Sequence, residues 1–390
     1  MTETKKKVPS LRFPEFSGEW EEKKLGEIAN KITDGTHDTP HTVEQGIPYL
    51  TAIHVKDGFI DYESCYYVEP EVHEKIYQRC NPEKGDLLIV NIGAGTANCA
   101  LNKVDYQFSL KNVALIKPNR RIIAPSFLEQ VQRKNAKFLF HRITSGGAQP
   151  FLGLKDIEKI KINIPKIPEQ EKIGDFLSTI DERIQLLKEK KKTLEAYKKG
   201  VMQQIFSQQL RFKDENGNDY PDWDYKGLGE VLEYEQPTKY LVSSTEYNNS
   251  NSTPVLTAGK TFILGYTNED FGIFPKNELP VIIFDDFTTD SKYVNFEFKA
   301  KSSAMKILKA KENNIKYIYE AMQQIKYIVG GHGRHWISVF SSIEIPYPSL
   351  PEQQKIADFL SSIDDKISFC DQQIKQAEQY KKGLLQQMFV

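Results

Sequence analysis

The sequence predicts an α+β or α/β protein in which two structurally similar globular bodies alternate with two long helices. Three observations predict it. The stretch Pro168–Phe206 recurs as Pro351–Phe389 without a gap, at an offset of 183 residues and with about 21 of 39 positions identical. A short entry motif also recurs: Leu11-Arg12-Phe13, Trp20 and Leu25-Gly26-Glu27-Ile28, then Leu210-Arg211-Phe212, Trp223 and Leu228-Gly229-Glu230-Val231. Between these repeats, strand-like and helix-like runs follow one another in the same order while the residues differ. The chain is therefore one unit made twice.

Each copy of the long repeat reads as a single helix. Pro168 and Pro351 suit a first helical turn, where a missing N–H costs nothing, and Glu169 and Glu352 favour the positive helix start. Apolar residues then recur at alternating steps of four and three. In the first copy they are Ile173, Leu177, Ile180, Ile184, Leu187, Leu194, Val201 and Ile205, with Lys191 and Lys198 interrupting. In the second they are Ile356, Leu360, Ile363, Ile367, Cys370, Ile374, Ala377, Leu384 and Met388, with Lys381 interrupting. A seam of this period over about four heptads specifies a coiled coil. At ~1.5 Å per residue each helix is about 50–58 Å long, the size of a spacer. Two amphipathic helices packed on separate domain cores are the plainer alternative. Two equal seams in one chain favour packing of the copies on each other.

Composition sets the class. The chain has 390 residues, 39% hydrophobic and 27% charged, which suffices for two or three domains with real cores. No run of about eighteen apolar residues occurs, so no membrane span is expected. The start, MTETKKKVPS, has no apolar region of the secretory type. Cys65, Cys80, Cys99 and Cys370 show no CxxC spacing and read as free thiols of a cytosolic protein. Net charge is −1.

The divisions follow: 1–167 for the first body with its entry segment, 168–206 for the first helix, 207–350 for the second body and 351–390 for the second helix. Strands are expected in the first body at Ile47–Ile53, Asp86–Ile92, Val113–Ile116 and Ile160–Ile164, with a helix over Pro125–Arg142. Loops are expected at Asp34–Pro40, Gly93–Gly95 and Ser145–Gly147. The second body predicts strands at Pro254–Ala258, Val281–Phe284, Ala304–Leu308 and Ser342–Ile345. A helix over Ile315–Tyr327 and a loop at Gly330–Gly333 complete it.

The helix starts (Ile167 or Leu350, then P-E-Q-x-K-I-x-D-F-L-S-x-I-D), their Y-K-K-G-x-x-Q-Q ends, and the L-R-F … W-x4-L-G-E entries resemble the specificity subunit of type I restriction–modification systems. The segment Asp34-Gly35-Thr36-His37-Asp38-Thr39-Pro40, followed by Gly46-Ile47-Pro48-Tyr49-Leu50, resembles the opening of a target recognition domain of that family. The likeness runs over nearly the whole chain. It implies two target recognition domains separated by two long antiparallel coiled-coil helices, in a pseudo-two-fold, circular organisation. Each domain would read one half of a bipartite site on double-stranded DNA, the helices setting the spacer. It also implies two methyltransferase (M) subunits docked on the helices and restriction (R) subunits beyond them. S-adenosylmethionine, ATP and Mg²⁺ would sit on those partners, leaving this chain non-catalytic and without a cofactor. A rod of about 50 Å is somewhat over one turn of duplex, whose half-sites repeat about every 34–36 Å. The second helix ends at Phe389-Val390, where the first is followed by the LRF segment. The chain termini are therefore expected to lie close together.

Base readout needs donors and acceptors on loops placed in a groove. The candidates in the first body are Thr36, His37, Thr39, Asn91, Thr96, Ser145 and Gln149. In the second they are Thr257, Lys260, Thr288, Lys292, Arg334 and His335. Arg334 is the strongest, an always-charged fork in the Gly-rich run GGHGRHW. A lone DNA binder usually carries a basic surplus. The balanced charge implies either segregation by face or phosphate contacts supplied by partners.

Enzymatic readings are weaker. The Asn/Asp-Pro-Pro-aromatic loop of DNA methyltransferases is missing, and Ile89–Gly95 has only part of a cofactor fingerprint. Asp285-Asp286 followed by Glu297-Phe298-Lys299 has the order of a Mg²⁺ nuclease site, making a metal-dependent nuclease one alternative. The pairs His37/His41 and His332/His335 lack a third metal ligand in pattern. A coiled-coil scaffold binding only proteins is the other alternative, though it has no evident need of two dissimilar bodies.

Overall fold

The computed structural model describes residues 7–93, 95–144, 151–259, 261–327 and 333–390. The chain divides into two compact units, Met1–Glu189 with Asp371–Val390, and Lys190–Cys370. The long helices Ile167–Phe206 and Leu350–Gln387 therefore give one half to each unit.

In the first unit, strand Glu21–Lys24 pairs antiparallel with Lys161–Ile164, closing the beginning of the body on its end. A four-stranded antiparallel sheet runs in the order Ala29–Asp34, Val113–Pro118, Leu87–Val90, Cys99–Leu101. A three-stranded sheet has the order Tyr66–Val68, Ile47–Thr51, Ser109–Lys111, the last pair parallel. The second unit repeats this plan. Asp224–Gly227 pairs with Glu344–Tyr347. Its four-stranded sheet runs Leu232–Glu235, Met305–Ala310, Val281–Asp285, Ser291–Val294, and its three-stranded sheet Ile263–Thr267, Thr253–Leu256, Lys299–Ala300. The two bodies are structurally similar domains.

The central strands explain the cores. Strand side chains alternate between faces, so Leu87 and Ile89 enter one apolar cluster while Leu88 and Val90 enter another. Likewise Ile282 and Phe284 feed one cluster of the second unit, Val281 and Ile283 the other. Burial on both faces is why these runs are uniformly apolar rather than alternating. Helix Pro125–Thr144 brings Phe127, Leu128 and Val131 to the first of these clusters, and Ile315–Met322 brings Ile318 and Ala321 to its counterpart.

Two expectations are corrected. The helix expected over Ile315–Tyr327 stops at Met322, because the N–H groups of Gln324 and Ile325 turn back to the carbonyls of Ala321 and Met322. This i to i−3 pattern tightens and ends the helix. The order of elements also differs: the first unit adds a small hairpin, Val55–Lys56 with Phe59–Ile60, and the helix Pro70–Cys80, with Pro70 at its start and Asn81 as its left-handed cap at φ 32°.

The repeated motifs prove to be anchors. Gln170 donates to the carbonyls of Pro165 (2.8 Å) and Ile122 (3.0 Å) and accepts from the Ala124 N–H (2.9 Å). Gln353 does the same in the second unit with Pro348 (2.9 Å) and the Asn314 N–H (3.1 Å). Arg12 donates twice to Glu169 (2.8 and 2.7 Å), and Arg211 twice to Glu352 (3.3 and 3.0 Å). Such bidentate pairs hold geometry as well as charge. The Leu210 N–H bonds the Gln204 carbonyl at the end of the first long helix. The Leu11 N–H bonds the Gln387 carbonyl at the matched place (2.9 Å), and Trp20 packs edge-on against Phe389. The entry segment at Leu11 and Trp20 thus meets the end of the second helix, as the circular reading expects.

Within each unit the two helix halves run antiparallel. In the first, Asp181 meets Lys381 and Lys188 meets Glu378; in the second, Lys198 meets Asp364. The seam residues Ile173, Leu177, Ile184, Val201, Ile356, Leu360, Ile363, Ile374 and Leu384 are buried, and Ile180, Leu187, Leu194 and Ile367 half-buried. Burial alone would raise the carboxyls of Asp181 and Asp364. The cations around them outweigh it and hold both below the usual range: Arg133 and Lys381 for Asp181, Lys198 and Lys316 for Asp364. A carboxylate depressed on folding contributes stability above its unfolded value, near 3.9, and loses it as pH falls through the folded one. Between pH 6 and pH 3 the wild-type melting temperature is therefore expected to fall more than that of a D181N/D364N variant. The variant starts less stable, and thermal scans across that range give the check.

Candidate nucleic-acid interface

In the first unit the candidate loops converge on Asn112, a turn residue at φ 57°. Its N–H bonds the Thr36 carbonyl and its carbonyl receives the Asn91 N–H, both at 3.2 Å. The His37 ring lies between the Asn112 side chain (3.3 Å) and Asp34 (2.9 Å). Asp34, buried at the end of its strand, also takes Arg79 from the Pro70–Cys80 helix. Lys111 donates to the Thr39 hydroxyl. His37 and Thr39 are exposed and Thr36 is half-buried. A cavity of about 260 Å³ beside them is lined by Thr36, Asp38, Pro40, Lys75, Ile76 and Arg79, among others.

Asn91 and Thr96 are placed differently. Thr96 is buried and its hydroxyl donates to the Gly93 carbonyl at 2.6 Å, which shapes the hairpin between Leu87–Val90 and Cys99–Leu101. Asn91 is buried too; its carbonyl accepts the Leu152 N–H (2.8 Å), while its side-chain amide has no hydrogen-bond partner among the described residues. Ser145, Gln149 and Lys260 lie outside the described residues.

In the second unit two carboxylates organise the loops. Asp285 accepts the N–H groups of Phe287 (2.9 Å) and Thr288 (3.2 Å). Asp286 accepts the His335 N–H on its carbonyl and the Trp336 N–H on its carboxylate, both at 2.9 Å, with Lys306 at 3.5 Å. Leu152 and His335 stand at the same repeat offset, so both domains tie this loop to the residue where the central strand ends. Arg334 and Thr288 are exposed, while His335 is buried with its Nδ1 3.5 Å from the Tyr327 hydroxyl. Thr257 and the exposed Lys292 share a cavity of about 200 Å³ with Phe262, Asp285 and Asp290. The Thr257 hydroxyl donates to the Thr261 carbonyl at 2.7 Å.

This geometry removes the nuclease alternative. One oxygen of Asp285 is taken by two loop N–H groups, the oxygens of Asp286 by the Trp336 N–H and Lys306, and fully buried Lys299 is held by Glu269 (2.6 Å) and the Phe271 carbonyl (2.7 Å). A lysine so engaged is not available beside a metal. Among the described residues no group of three or more His, Cys, Asp or Glu side chains is placed to hold a metal ion.

The model of the type I restriction modification DNA specificity domain matches residues 17–196 and 220–379, covering both bodies and most of both helices. The chain belongs to that family. Its family-level role is that of the DNA-specificity subunit of a type I restriction–modification complex. It is 51% identical over 133 residues to the type I restriction enzyme EcoR124I/EcoR124II specificity subunit of Escherichia coli, a match spanning 33% of each chain. Similarity to the putative type I restriction enzyme MjaX specificity subunit of Methanocaldococcus jannaschii is lower, 24%, but spans 95% of this chain and 93% of that one. The fold matches the crystal structure of the type I restriction–modification S subunit from M. genitalium, with a TM-score of 0.70 over 98% of this chain and 99% of that one at 14% identity. Among the described residues, no helix of this specificity subunit is long and apolar enough to cross a membrane.

Proposed function

We propose that this specificity subunit reads a bipartite site on double-stranded DNA, one half with each globular domain. On this reading residues 1–167 and 207–350 are the recognition domains. The helices 168–206 and 351–390 set the spacer and dock two methyltransferase subunits, with restriction subunits joining the complex in the cytoplasm. The observation that carries the reading is one scaffold built twice with two dissimilar loop sets. One offers Thr36, His37 and Thr39 beside Arg79 and Lys111; the other offers Thr257, Thr288, Lys292 and Arg334.

The chemistry suits base edges. Arginine forks match guanine O6 and N7, and threonine serves as a hydrogen-bonding and methyl-contacting group. Ser145, Gln149 and Lys260 join these as contact candidates, whereas Asn91, Thr96 and His335 support the loops from within. Phosphate contacts supplied largely by partners account for a net charge of only −1.

Adenine-methylation mapping tests the proposal, in cells expressing this chain with its methyltransferase partner, with and without seven residues inserted in one long helix. The expected result is a split methylated motif whose spacing changes, or whose methylation is lost, on insertion. An assembled complex that methylates no split motif would sink the reading and favour a protein-binding scaffold.

A further inference from the structure

We propose that Lys198 and Lys381, two of the three lysines that break the apolar seams, fix the register of the two long helices and thereby the spacing between half-sites. The second clause rests on the proposed function; the first stands on geometry alone.

In the first unit the Lys381 side chain, 6% exposed, meets Asp181, which also receives Arg133 and the Gln130 amide (2.9 Å). In the second unit the Lys198 side chain, 16% exposed, meets both oxygens of Asp364 (2.7 and 2.9 Å), which also receives Lys316 (2.8 Å). Every member has its counterpart at the repeat offset: Arg133 with Lys316, Asp181 with Asp364, Lys198 with Lys381. The same three-way junction is thus built twice: a cation from the domain, a carboxylate from one helix and a lysine from the other. Between the junctions the two copies diverge, with Leu187 against Cys370, Lys191 against Ile374 and Leu194 against Ala377.

An apolar seam alone tolerates a slip of one heptad, because each knob finds another apolar hole. A buried charged residue at a seam position removes that freedom, at some expense in stability. One slip would set Lys381 against Gly174 and Lys198 against Ala357, parting both lysines from their aspartates and leaving Lys198 only Glu320 of its domain, which it also meets at 2.9 Å. The opposite slip would set Lys381 against Lys188. Only the observed register satisfies both junctions together.

The test replaces both lysines by methionine. Asp181 keeps Arg133 and Gln130, and Asp364 keeps Lys316, so no carboxylate is stripped and the K198M/K381M chain is expected to fold. Zero-length carbodiimide coupling of the purified full chain, followed by peptide mass spectrometry, reads the register directly. In the wild type it joins Lys188 to Glu378, an ion pair at 2.6 Å. In the variant that product is expected to fall at least about threefold, with a new link from Lys188 to Asp371, one heptad away. A K198R/K381R variant is expected to restore the wild-type product. A folded K198M/K381M chain coupling only Lys188 to Glu378, at wild-type yield, overturns the proposal.

Methylation mapping of the same variant is the second arm, and more than one spacer length is the expected outcome. A shifted coupling pattern with a single unchanged spacer would uphold the register device and overturn its link to spacing. A wild type that methylates no split motif would defeat the proposed function while the coupling result still decides the register.

Discussion

Replacing Gly35 by alanine is expected to destabilise the first unit by about 3 kcal/mol or more while leaving the fold of the second intact and, under the proposed function, to abolish recognition through the first unit. Gly35 is where the chain leaves the strand Ala29–Asp34 and crosses from the four-stranded to the three-stranded sheet. Its N–H bonds the Val113 carbonyl (3.1 Å), and the next N–H, that of Thr36, bonds the Leu110 carbonyl (2.8 Å). A methyl group here would overlap the Leu110 carbonyl and come within 2.6 Å of its Cβ. Backbone cannot move aside as a flexible side chain does. The strand Ser109–Lys111 would have to shift, carrying Lys111 and Asn112 with it, and these position Thr39, Thr36 and His37. Hydrogen exchange read peptide by peptide, with methylation mapping alongside, gives the check. Wild-type protection over 29–39 and 109–118 in G35A would refute the prediction. In the second unit the matched crossing needs no glycine. There a short turn, Pro237–Tyr240, leads into Leu241, which makes the corresponding parallel bridge to Ala300.

That contrast shows what the sequence can and cannot reveal. The helices, their seams and the closing of the chain on itself were legible because they occur twice. Repetition turns Pro168-Glu169-Gln170 and Leu11-Arg12-Phe13 into a pattern before their role as anchors is seen. The strands Leu87–Val90 and Val281–Asp285 were legible from their unbroken apolar runs. The loop surfaces were not. Asp34 holds Arg79 across 45 residues, and no local spacing announces that pair. The helix Pro70–Cys80 carried a signal, a proline start with apolar residues at Val72, Ile76 and Cys80, but the other body has no counterpart to draw attention to it. Asp285-Asp286 shows the opposite failure. Adjacent carboxylates at a strand end look the same in sequence whether they await a metal or clamp two loops. Only the N–H groups aimed at them decide. Asn91 and Thr96 have the residue type for base contacts and stand near glycines, but type alone does not say which way a side chain faces.

Glu352→Ala is expected to cost the second unit about 2–4 kcal/mol, and the matched Glu169→Ala in the first unit about 1 kcal/mol less. Glu352 is fully buried in the first turn of its helix, where the helix dipole favours a negative charge. It accepts two bonds from Arg211 and a third from the Trp223 indole N–H at 2.9 Å. Alanine would leave that N–H buried without an acceptor, and Arg211 with the carbonyls of Tyr220 (3.1 Å) and Pro221 (2.7 Å) and a longer ion pair to exposed Asp222 (3.8 Å). Arg211 keeps a partly exposed head, which holds the loss below that of a fully enclosed pair. Glu169 receives Arg12 in the same way, but the Trp20 indole N–H has no acceptor among the described residues even in the wild type. One hydrogen bond fewer is therefore at stake there. Denaturant titration with hydrogen-exchange labelling separates the two units. Equal losses in E169A and E352A would show that the tryptophan bond contributes nothing, and that the arginine pair alone ties each entry segment to its helix.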